Sequence, residues 1–306
     1  MDILKKCPVC FSNNIRVLFP LYKYRKSLEI TSFATSYQLA ECQDCFIWFK
    51  LERPPQELLN QFYESMPVDT YDWEYKSRLP HEKIIDQMII AMPENSSILD
   101  IGCWSGRLLA PHSSNYKTFG IEPNSFASVK AIERGINLLG TFVNKELLKD
   151  KTFDLITMID VYEHVESPDE LIFFLLNHLS KNGKLVLVTG GTDNIAVKLA
   201  GGTYWYFSCI PDHITFLNKK HIEYLKKIKS DIHITFKKIA HSKFHFKRFL
   251  FEFAWLLVWR YCNPNSSFKK NKLLMFFISN RFRNVKEITQ CRTFKDHYLI
   301  EFKKKL

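Results

Sequence analysis

No run of about 18 uncharged apolar residues, the length that a membrane-spanning helix requires, occurs in this sequence of 306 residues. Its first residues, Met1 to Lys6, are too polar for a signal peptide, so we expect a cytoplasmic protein. The sequence has eight cysteines, but in a chain of this size without a secretory signal they are not expected to form a disulfide framework.

The sequence also lacks the closely spaced glycines that allow a loop to enclose a pyrophosphate. Its best candidate loop has the spacing Gly-x-x-x-Gly, from Gly102 to Gly106, with Trp104 in between. This pattern argues against a dinucleotide-dependent oxidoreductase.

Acidic residues are scarce in the last third of the chain. Residues 214–306 contain 22 Lys and Arg but only 6 Asp and Glu. Residues 1–213 contain 21 Lys and Arg and 26 Asp and Glu. A basic end favours an anionic partner, such as a phosphate of a lipid, of a nucleotide-linked substrate or of RNA. The alternative is a solvated, lysine-rich surface.

Four of the cysteines occur as two Cys-x-x-Cys pairs, Cys7 with Cys10 and Cys42 with Cys45. Such pairs are typical of a four-cysteine zinc ribbon, in which four thiolates complete a tetrahedral site, so we expect structural zinc. The 31 residues between the pairs are long for a ribbon and predict a hairpin insertion, with strands at Ile15–Phe19 and Ile30–Phe33. A redox motif or free thiols are the alternatives.

The centre of the chain alternates strand and helix patterns. Ile98–Ile101 is a short buried strand that runs into the glycine turn, and a helix is predicted to begin at Arg107. Strands at Phe153–Ile159 and Gly183–Thr189, with a helix at Glu170–Leu179 between them, predict a parallel sheet covered by helices on both faces. Ligands of such sheets bind beyond the carboxyl ends of the strands.

Acidic residues stand at three of these strand ends. Asp100 precedes the glycine loop, where a carboxylate repels phosphate but attracts the sulfonium and ammonium of S-adenosylmethionine. Glu122 follows a second strand, 22 residues after Asp100, which is the spacing of an acidic residue that binds ribose hydroxyls. A solvated glutamate is the alternative for Glu122. Asp160 follows the strand at Phe153–Ile159.

These residues resemble a known family. Leu99–Gly106 is similar to motif I of class I S-adenosylmethionine-dependent methyltransferases, and Asp160–Val165 resembles their fourth-strand motif. Tyr204-Trp205 with Pro211–Phe216 resembles a segment of bacterial methyltransferases of sugar and polysaccharide pathways. The resemblance implies a Rossmann-like, seven-stranded α/β core, a small N-terminal zinc ribbon and a helical insertion near the C-terminus. It assigns the methyl donor to Asp100, Gly102, Cys103, Trp104, Gly106, Glu122, Asp160 and Val161.

One residue departs from the family pattern, because Trp104 stands where motif I usually has a glycine. The indole either leaves room for the methionine end of the donor or narrows that space. If it narrows the space, the chain is a zinc-stabilised binding or scaffold protein rather than an enzyme.

We divide the chain into a zinc-binding module at 1–50, a helical linker or cap at 51–92, and a methyltransferase core at 93–306. An aromatic-rich stretch in the linker either covers the cofactor or packs on the core; it contains Tyr63, Tyr71, Trp73 and Tyr75. The core contains a basic, apolar helical insertion at 243–285, which either lies on an anionic membrane surface or packs over the active site or in a dimer interface.

Methyl transfer to a hydroxyl requires a base, and His213 and His164 are the candidates, with Asp212 as the orienting group or an alternative base. Both histidines have the alternative of a capping or packing role. Trp205 and Tyr206 either stack on a sugar or pack in the core.

The leading hypothesis is methyl transfer to a hydroxyl or carbon of a saccharide, either nucleotide-linked or part of a surface-polysaccharide precursor. The segment Ile210-Pro-Asp-His213 lacks the tyrosine of sugar C-methyltransferases, which argues against carbon as the acceptor. The alternative is an RNA methyltransferase, but the basic residues lie at the opposite end of the chain from the zinc module, so nucleic acid is not the expected partner. The oligomeric state is left open.

Overall fold

The computed structural model of the chain describes residues 2–19, 21–23, 36–66, 78–208, 212–240, 246–262 and 295–305. The strands are Asp2–Ile3 (β1), Ile15–Val17 (β2), Tyr22–Lys23 (β3), Ser36–Tyr37 (β4), Leu39–Cys42 (β5), Trp48–Lys50 (β6), Glu52–Arg53 (β7), Ser97–Ile101 (β8), Lys117–Ile121 (β9), Asn137–Gly140 (β10), Phe153–Ile159 (β11), Leu179–Gly190 (β12), Thr215–Phe216 (β13), Ile232–Ile239 (β14) and His297–Lys304 (β15). The α-helices are Gln56–Ser65 (α1), Pro80–Ile90 (α2), Ser125–Glu133 (α3), Pro168–Asn177 (α4), Ile195–Ala200 (α5), Trp205–Ser208 (α6), Lys219–Ile228 (α7) and Phe246–Cys262 (α8).

The centre of the molecule is a seven-stranded sheet with the order β10-β9-β8-β11-β12-β15-β14. The first five strands are parallel, and β15 runs antiparallel to both of its neighbours. The predicted Rossmann-like α/β fold with a seven-stranded sheet is therefore confirmed.

Both faces of this sheet are covered, which explains why its central strands β8, β11 and the second half of β12 are largely apolar. Along β12, Val186 packs in a cluster with Ile85 of α2, whereas its neighbour Leu187 packs in a second cluster with Leu175 of α4. Successive side chains of a strand point to opposite faces, so one strand serves both clusters.

The helix predicted to begin at Arg107 is wrong: the chain makes a turn there and then a single 3₁₀ turn at Ala110–His112. Pro111 explains the difference, because proline lacks an N–H and its ring would clash with the carbonyl of Arg107 in an α-helix. The guanidinium of Arg78 instead donates to the carbonyl oxygens of Arg107 and Leu108, at 2.8 and 2.9 Å.

The cysteine pairs belong to a four-stranded antiparallel sheet of order β13-β6-β5-β2. Strand β13 comes from the region predicted as the core, and its Thr215 pairs with Phe49 of β6. Tyr22–Lys23 pairs antiparallel with Ser36–Tyr37, whereas the predicted strand at Ile30–Phe33 lies outside the described residues. The N-terminal sheet is thus completed by a strand that lies far along the chain.

Arg53, at the end of β7 in a separate two-stranded sheet with β1, contacts both β13 of the four-stranded sheet and the core. It is 4% exposed, and its guanidinium donates to the carbonyl oxygens of Glu166 and Ile214 and to Thr215 Oγ1, at 3.3, 3.4 and 2.9 Å. Burial lowers the pKa of Arg53 to about 10, so the side chain remains charged at neutral pH.

We expect Arg53→Met to lower the free energy of unfolding by about 2–3 kcal/mol, because two buried acceptors, the Ile214 carbonyl and Thr215 Oγ1, would lose a charged donor. Urea denaturation monitored by circular dichroism measures this loss. Arg16→Met is the matched control, since the exposed Arg16 pairs with Glu41 within the four-stranded sheet and should contribute less than about 1 kcal/mol. Equal effects of the two substitutions would contradict a joining role for Arg53.

The described part of the predicted insertion at 243–285 is helix α8, and residues 263–294 lie outside the described residues. Among the helices that the structure describes, α8 included, we find none with both the length and the apolar character needed to cross a membrane.

Candidate active site

Three acidic residues lie at the carboxyl ends of the neighbouring strands β9, β8 and β11, as predicted. Asp100 is the penultimate residue of β8, Glu122 follows β9, and Asp160 follows β11. In the sheet register Asp100 is opposite Gly120 on one side and Thr157 on the other. The absence of a side chain at Gly120 leaves room for Cys103, whose Sγ would lie 2.5 Å from a Cβ at that position.

The loop from Gly102 to Gly106 adopts left-handed backbone conformations at three positions. Gly102 and Gly106 have φ values of +70° and +74°, and Trp104 has a φ of 46°. A glycine is preferred in this region because it has no Cβ, which explains the usual residue of the motif at the position of Trp104. The Trp104 N–H donates to Glu122 Oε2 at 2.8 Å, so this conformation is held by a hydrogen bond to a buried carboxyl group.

Glu122 is nearly fully buried, and both of its oxygens accept hydrogen bonds from the backbone. Oε2 accepts from Trp104 N–H and Oε1 accepts from Asn124 N–H, both at 2.8 Å. Burial raises the pKa of Glu122 to about 7. A carboxylate has about four acceptor positions, so after these two bonds Glu122 can still accept hydrogen bonds from ribose hydroxyls.

Asp100 is buried beside Thr157, whose Oγ1 donates to Asp100 Oδ1 at 2.6 Å. Burial raises the pKa of Asp100 to about 7; the hydrogen bond from Thr157 opposes this shift, and the nearby Glu122 adds to it. Two buried carboxylates at adjacent strand ends favour a cationic ligand, because such a ligand would stabilise their charged forms.

Binding of S-adenosylhomocysteine is therefore expected to weaken as the pH falls below 7. We expect its ammonium and ribose groups to bind the charged carboxylates of Asp100 and Glu122, which below their pKa of about 7 must first lose a proton. Each pH unit should cost up to about tenfold in affinity for each carboxylate that contacts the ligand. Calorimetry at pH 6.0 and 7.5 measures the change, and equal affinities would contradict the assignment.

The remaining predicted cofactor residues lie around the same loop. Val161 packs against Gly102, since its Cγ2 would be 2.6 Å from a Cβ there. Asp160 has a φ of 51°, and its Oδ1 lies 3.7 Å from Nε2 of the buried His297. Cys103 is buried against the sheet, so its side chain packs rather than facing the crevice.

The three predicted catalytic residues come together next to the end of β11, and Tyr63 of α1 joins them. His164 Nδ1 lies 3.0 Å from Asp212 Oδ2 and 2.9 Å from the Tyr63 hydroxyl, which itself donates to Asp212 at 3.1 Å. The rings of His164 and His213 are 4.6 Å apart, and His213 Nδ1 lies 3.2 Å from the Tyr206 carbonyl oxygen.

The two histidines differ in charge. Burial alone would lower the pKa of His164, but the Asp212 carboxylate outweighs it and raises that pKa to about 9. The pKa of His213 is far below its usual value because of burial and of the charged His164. Burial alone would raise the pKa of Asp212, but His164 reverses the direction and lowers it.

Tyr206 packs in the core, which is the second of the two roles considered for it. It is buried, its ring is 4.4 Å from that of His213, and its hydroxyl donates to Glu163 Oε1 at 2.8 Å. The side chain of Trp205, the aromatic residues at 71, 73 and 75, and residues 209–211 lie outside the described residues.

Three contributors to the site were not predicted: Glu163, Asn124 and the hydroxyl of Tyr63. Asn124 Nδ2 donates to the carbonyl oxygens of Tyr63 and Met66, at 2.9 and 2.8 Å, so it attaches the end of α1 to the strand end that carries Glu122. The sequence signal for Tyr63 was only its membership of an aromatic-rich stretch. Glu163 was visible as part of the fourth-strand motif.

The four cysteines of the two pairs form one cluster, with all four Sγ atoms within 4.8 Å of one another. Cys7 and Cys45 are 3.6 Å apart, and Cys10 and Cys42 are 3.4 Å apart. A tetrahedral site with Zn–S bonds of about 2.3 Å has S–S edges of about 3.8 Å, so these thiols fit zinc. Among the cysteines that the structure describes, none is in a disulfide.

A chain of buried hydrogen bonds links this cluster to the active site. His221 Nδ1 donates to the Cys45 carbonyl oxygen at 2.7 Å, and His221 Nε2 lies 3.2 Å from Asp169 Oδ1. Tyr162, next to Glu163 and His164, donates to the same Asp169 oxygen at 3.0 Å. The cysteine cluster therefore supports the turn that carries the catalytic candidates.

A model of the methyltransferase domain family matches residues 73–227, just over half of the chain. This chain belongs to that family. The match covers the strand ends, the glycine loop and the histidine cluster of the methyltransferase, and it ends before β14, α8 and β15.

Two curated relatives are similar to part of this methyltransferase. A ubiquinone biosynthesis O-methyltransferase of Rickettsia conorii is 30% identical over 123 residues, 37% of this chain and 42% of that protein. A tRNA U34 carboxymethyltransferase of Shewanella halifaxensis is 32% identical over 130 residues, 39% of this chain and 36% of that protein. The chain thus spans less than half the length of these relatives.

Among solved structures, the complex between the Haloferax volcanii Trm112 methyltransferase activator and the putative methyltransferase contains a similar chain. It is 11% identical, with a TM-score of 0.51, and the match covers 81% of this chain and 98% of that one. At this identity the likeness concerns the fold alone.

Proposed function

We propose that this methyltransferase moves the methyl group of S-adenosylmethionine to a hydroxyl of a small-molecule acceptor. The observation that carries the proposal is the pair of buried carboxylates, Asp100 and Glu122, beside a strand end that bears a histidine cluster. Asp100 would attract the cationic end of the donor and Glu122 would bind its ribose. S-adenosylmethionine supplies the methyl group when it is bound there.

The acceptor hydroxyl would lose its proton at the cluster of His164, Asp212 and His213. Asp212 and Tyr63 hold Nδ1 of His164, and the Tyr206 carbonyl holds Nδ1 of His213. The rings are thus fixed. Nε2 of the neutral His213 is the atom that can take the proton, whereas the charged His164 already carries a proton at its own Nε2. A base held in place in this way contributes through both position and proton transfer.

A saccharide, nucleotide-linked or in a surface-polysaccharide precursor, is the first acceptor class that we propose. The segment with Asp212 and His213 supports it by its resemblance to the sugar-pathway enzymes. The second class is a phenolic precursor of a quinone, which the name of the Rickettsia relative supports. RNA is the third, because of the name of the Shewanella relative.

Transfer of radiolabelled methyl from S-adenosylmethionine to a panel of these three acceptor classes tests the proposal. Labelled, base-stable product from a nucleotide sugar is the expected result. Label in RNA, with binding that weakens steeply as salt rises, would replace the saccharide by RNA. If the chain neither bound S-adenosylmethionine nor labelled any acceptor, the enzyme hypothesis would be replaced by that of a non-catalytic scaffold protein.

We further propose that zinc occupies the four-cysteine cluster and is structural. The thiol separations fit a tetrahedral site, and four thiolate ligands would leave no position for a substrate. Zinc would fix the two turns that carry the cysteines and thereby the Cys45 carbonyl that accepts from His221.

The anionic partner that we propose is a membrane surface in contact with α8. Leu256 of this helix is buried, whereas Phe246, Leu250, Phe251 and Leu257 are 45–63% exposed, and Lys247 is exposed beside them. The basic last third of the chain favours negatively charged lipids. A peripheral position at the inner face of a cell membrane would bring the enzyme to lipid-linked acceptors.

Sedimentation with lipid vesicles tests this contact. We expect binding to vesicles that contain about 30% anionic lipid, and a loss of at least about tenfold on replacing Leu250 and Phe251 together by Ser, since each removes a buried apolar side chain from the bilayer. Replacement of the exposed Phe126 and Val129 of α3 by Ser is the control and should leave binding unchanged. Equal binding by both double variants would contradict the contact through α8.

A further inference from the structure

Glu163, His164 and His213 each offer one ligand atom, and these atoms lie within 4.8 Å of one another. Together they provide one carboxylate oxygen and two imidazole nitrogens. All three residues are at least partly buried, and they lie at the carboxyl end of β11, where an acceptor would approach the methyl donor.

Both histidines have the orientation that metal ligands require. A histidine that binds a metal usually donates its other ring N–H to a carboxylate or to a backbone carbonyl, which fixes the tautomer and the ring. His164 Nδ1 has Asp212 Oδ2 at 3.0 Å, and His213 Nδ1 has the Tyr206 carbonyl oxygen at 3.2 Å. Nε2 of each ring is left as the ligand atom, and cation binding would release the proton that the charged His164 carries there.

The carboxylate of Glu163 is supported in the same manner. Thr189 Oγ1 donates to its Oε2 and the Tyr206 hydroxyl donates to its Oε1, both at 2.8 Å. The Tyr206 hydroxyl in turn accepts from Gly190 N–H at 3.0 Å. Each carboxylate oxygen keeps an acceptor position after these bonds, so the group is oriented without being saturated.

We propose that Glu163, His164 and His213 bind one first-row divalent cation, such as Mn²⁺, Fe²⁺ or Zn²⁺. Two imidazole nitrogens favour these metals over Mg²⁺ and Ca²⁺, which prefer sites made of oxygen ligands alone. Three protein ligands leave coordination positions open, in contrast to the four-cysteine cluster. Tyr206 holds two of the ligands at once, through its hydroxyl and its carbonyl group.

The role of this cation rests on the proposed function and deepens it. An acceptor hydroxyl bound at an open position becomes more acidic, and its proton leaves to solvent. The oxygen then forms its bond to the methyl carbon as the bond from that carbon to sulfur breaks. The sulfur keeps the electron pair and S-adenosylhomocysteine results. In this step His164 and His213 act as ligands, and the cation takes the place of a histidine base.

Manganese titration of the full chain with zinc in its four-cysteine cluster, monitored by electron paramagnetic resonance, tests the site. Mn²⁺ is chosen because it disfavours thiolate ligands, so the four-cysteine cluster does not compete. We expect one Mn²⁺ to bind per chain in a saturable manner. Glu163→Gln and His213→Gln each remove a ligand and should weaken Mn²⁺ binding by at least about 100-fold. Asp212→Asn alters only the group that orients His164 and should weaken Mn²⁺ binding by about 10- to 100-fold.

His233→Gln is the matched control, because His233 is an exposed residue of β14 far along the sheet from this cluster, and it should bind Mn²⁺ like the wild type. Calorimetry with S-adenosylhomocysteine shows that each variant is folded. Unsaturable Mn²⁺ binding, or equal binding by wild type and ligand variants, would overturn the cation site and leave the proposed function standing. If the wild type did not bind S-adenosylhomocysteine, the proposed function would be overturned instead.

Discussion

Cys45→Ser is expected to abolish zinc binding and to lower the free energy of unfolding by about 5 kcal/mol or more. The binding energy of a structural zinc is folding energy, and in isolated zinc modules it is about 10–16 kcal/mol. In this protein the loss of zinc should also destabilise the core, because the Cys45 carbonyl accepts a hydrogen bond from His221 and His221 contacts Asp169. Metal analysis by mass spectrometry and thermal melting measure the two effects.

Cys103→Ser is the control for this substitution, since Cys103 is a buried cysteine outside the cluster. It should keep one zinc per chain and lose no more than about 1–2 kcal/mol, the ordinary result of a small change in a packed site. A wild-type protein that contains no zinc when purified, and whose melting is unaffected by chelators, would rule out the structural metal.

Asp100→Asn is expected to reduce the affinity for S-adenosylhomocysteine by about 100-fold or more. Removal of one partner from a buried, paired charge costs about 3–5 kcal/mol. Asparagine has nearly the same shape and can still accept from Thr157, so the change is electrostatic rather than steric.

The same variant should be more stable than the wild type when no ligand is present at pH 8. The pKa of Asp100 is raised in the folded protein, so its charged form costs stability that appears as the pH rises from about 4 through 7. Asparagine removes that cost. Thermal melting at pH 8 should therefore show a higher Tm without ligand and a smaller increase on adding S-adenosylhomocysteine.

Asp150→Asn removes the same charge from an exposed position and serves as the control; neither its Tm nor its ligand-induced increase should differ from the wild type. An Asp100→Asn variant that binds S-adenosylhomocysteine as tightly as the wild type would refute the electrostatic role of Asp100 in the crevice.

The parts of the site that could be predicted are those that depend on local sequence. A strand, a glycine turn and an acidic residue at the strand end are adjacent in the chain, so the positions of Asp100 and Glu122 follow from the pattern. The same reasoning failed at Arg107, where the helix pattern was accepted although Pro111 prevents it from continuing.

The parts that could not be predicted depend on contacts between distant segments. Tyr63 meets Asp212 because α1 docks on the core, and no periodicity in α1 indicates where it docks. Strand β13 has two residues, too few for an alternating pattern, and the sheet that it completes belongs to the other end of the chain. Glu163 was visible in a motif, but its two hydroxyl donors come from Thr189 and Tyr206.

The pairing of Thr215 with Phe49 has a consequence for synthesis on the ribosome. The first fifty residues emerge early, yet their sheet lacks its last strand, and Arg53 lacks its acceptors, until residue 216 has left the exit tunnel. During that interval the edge of β6 is exposed to other nascent chains. We therefore expect N-terminal fragments that stop before residue 214 to aggregate.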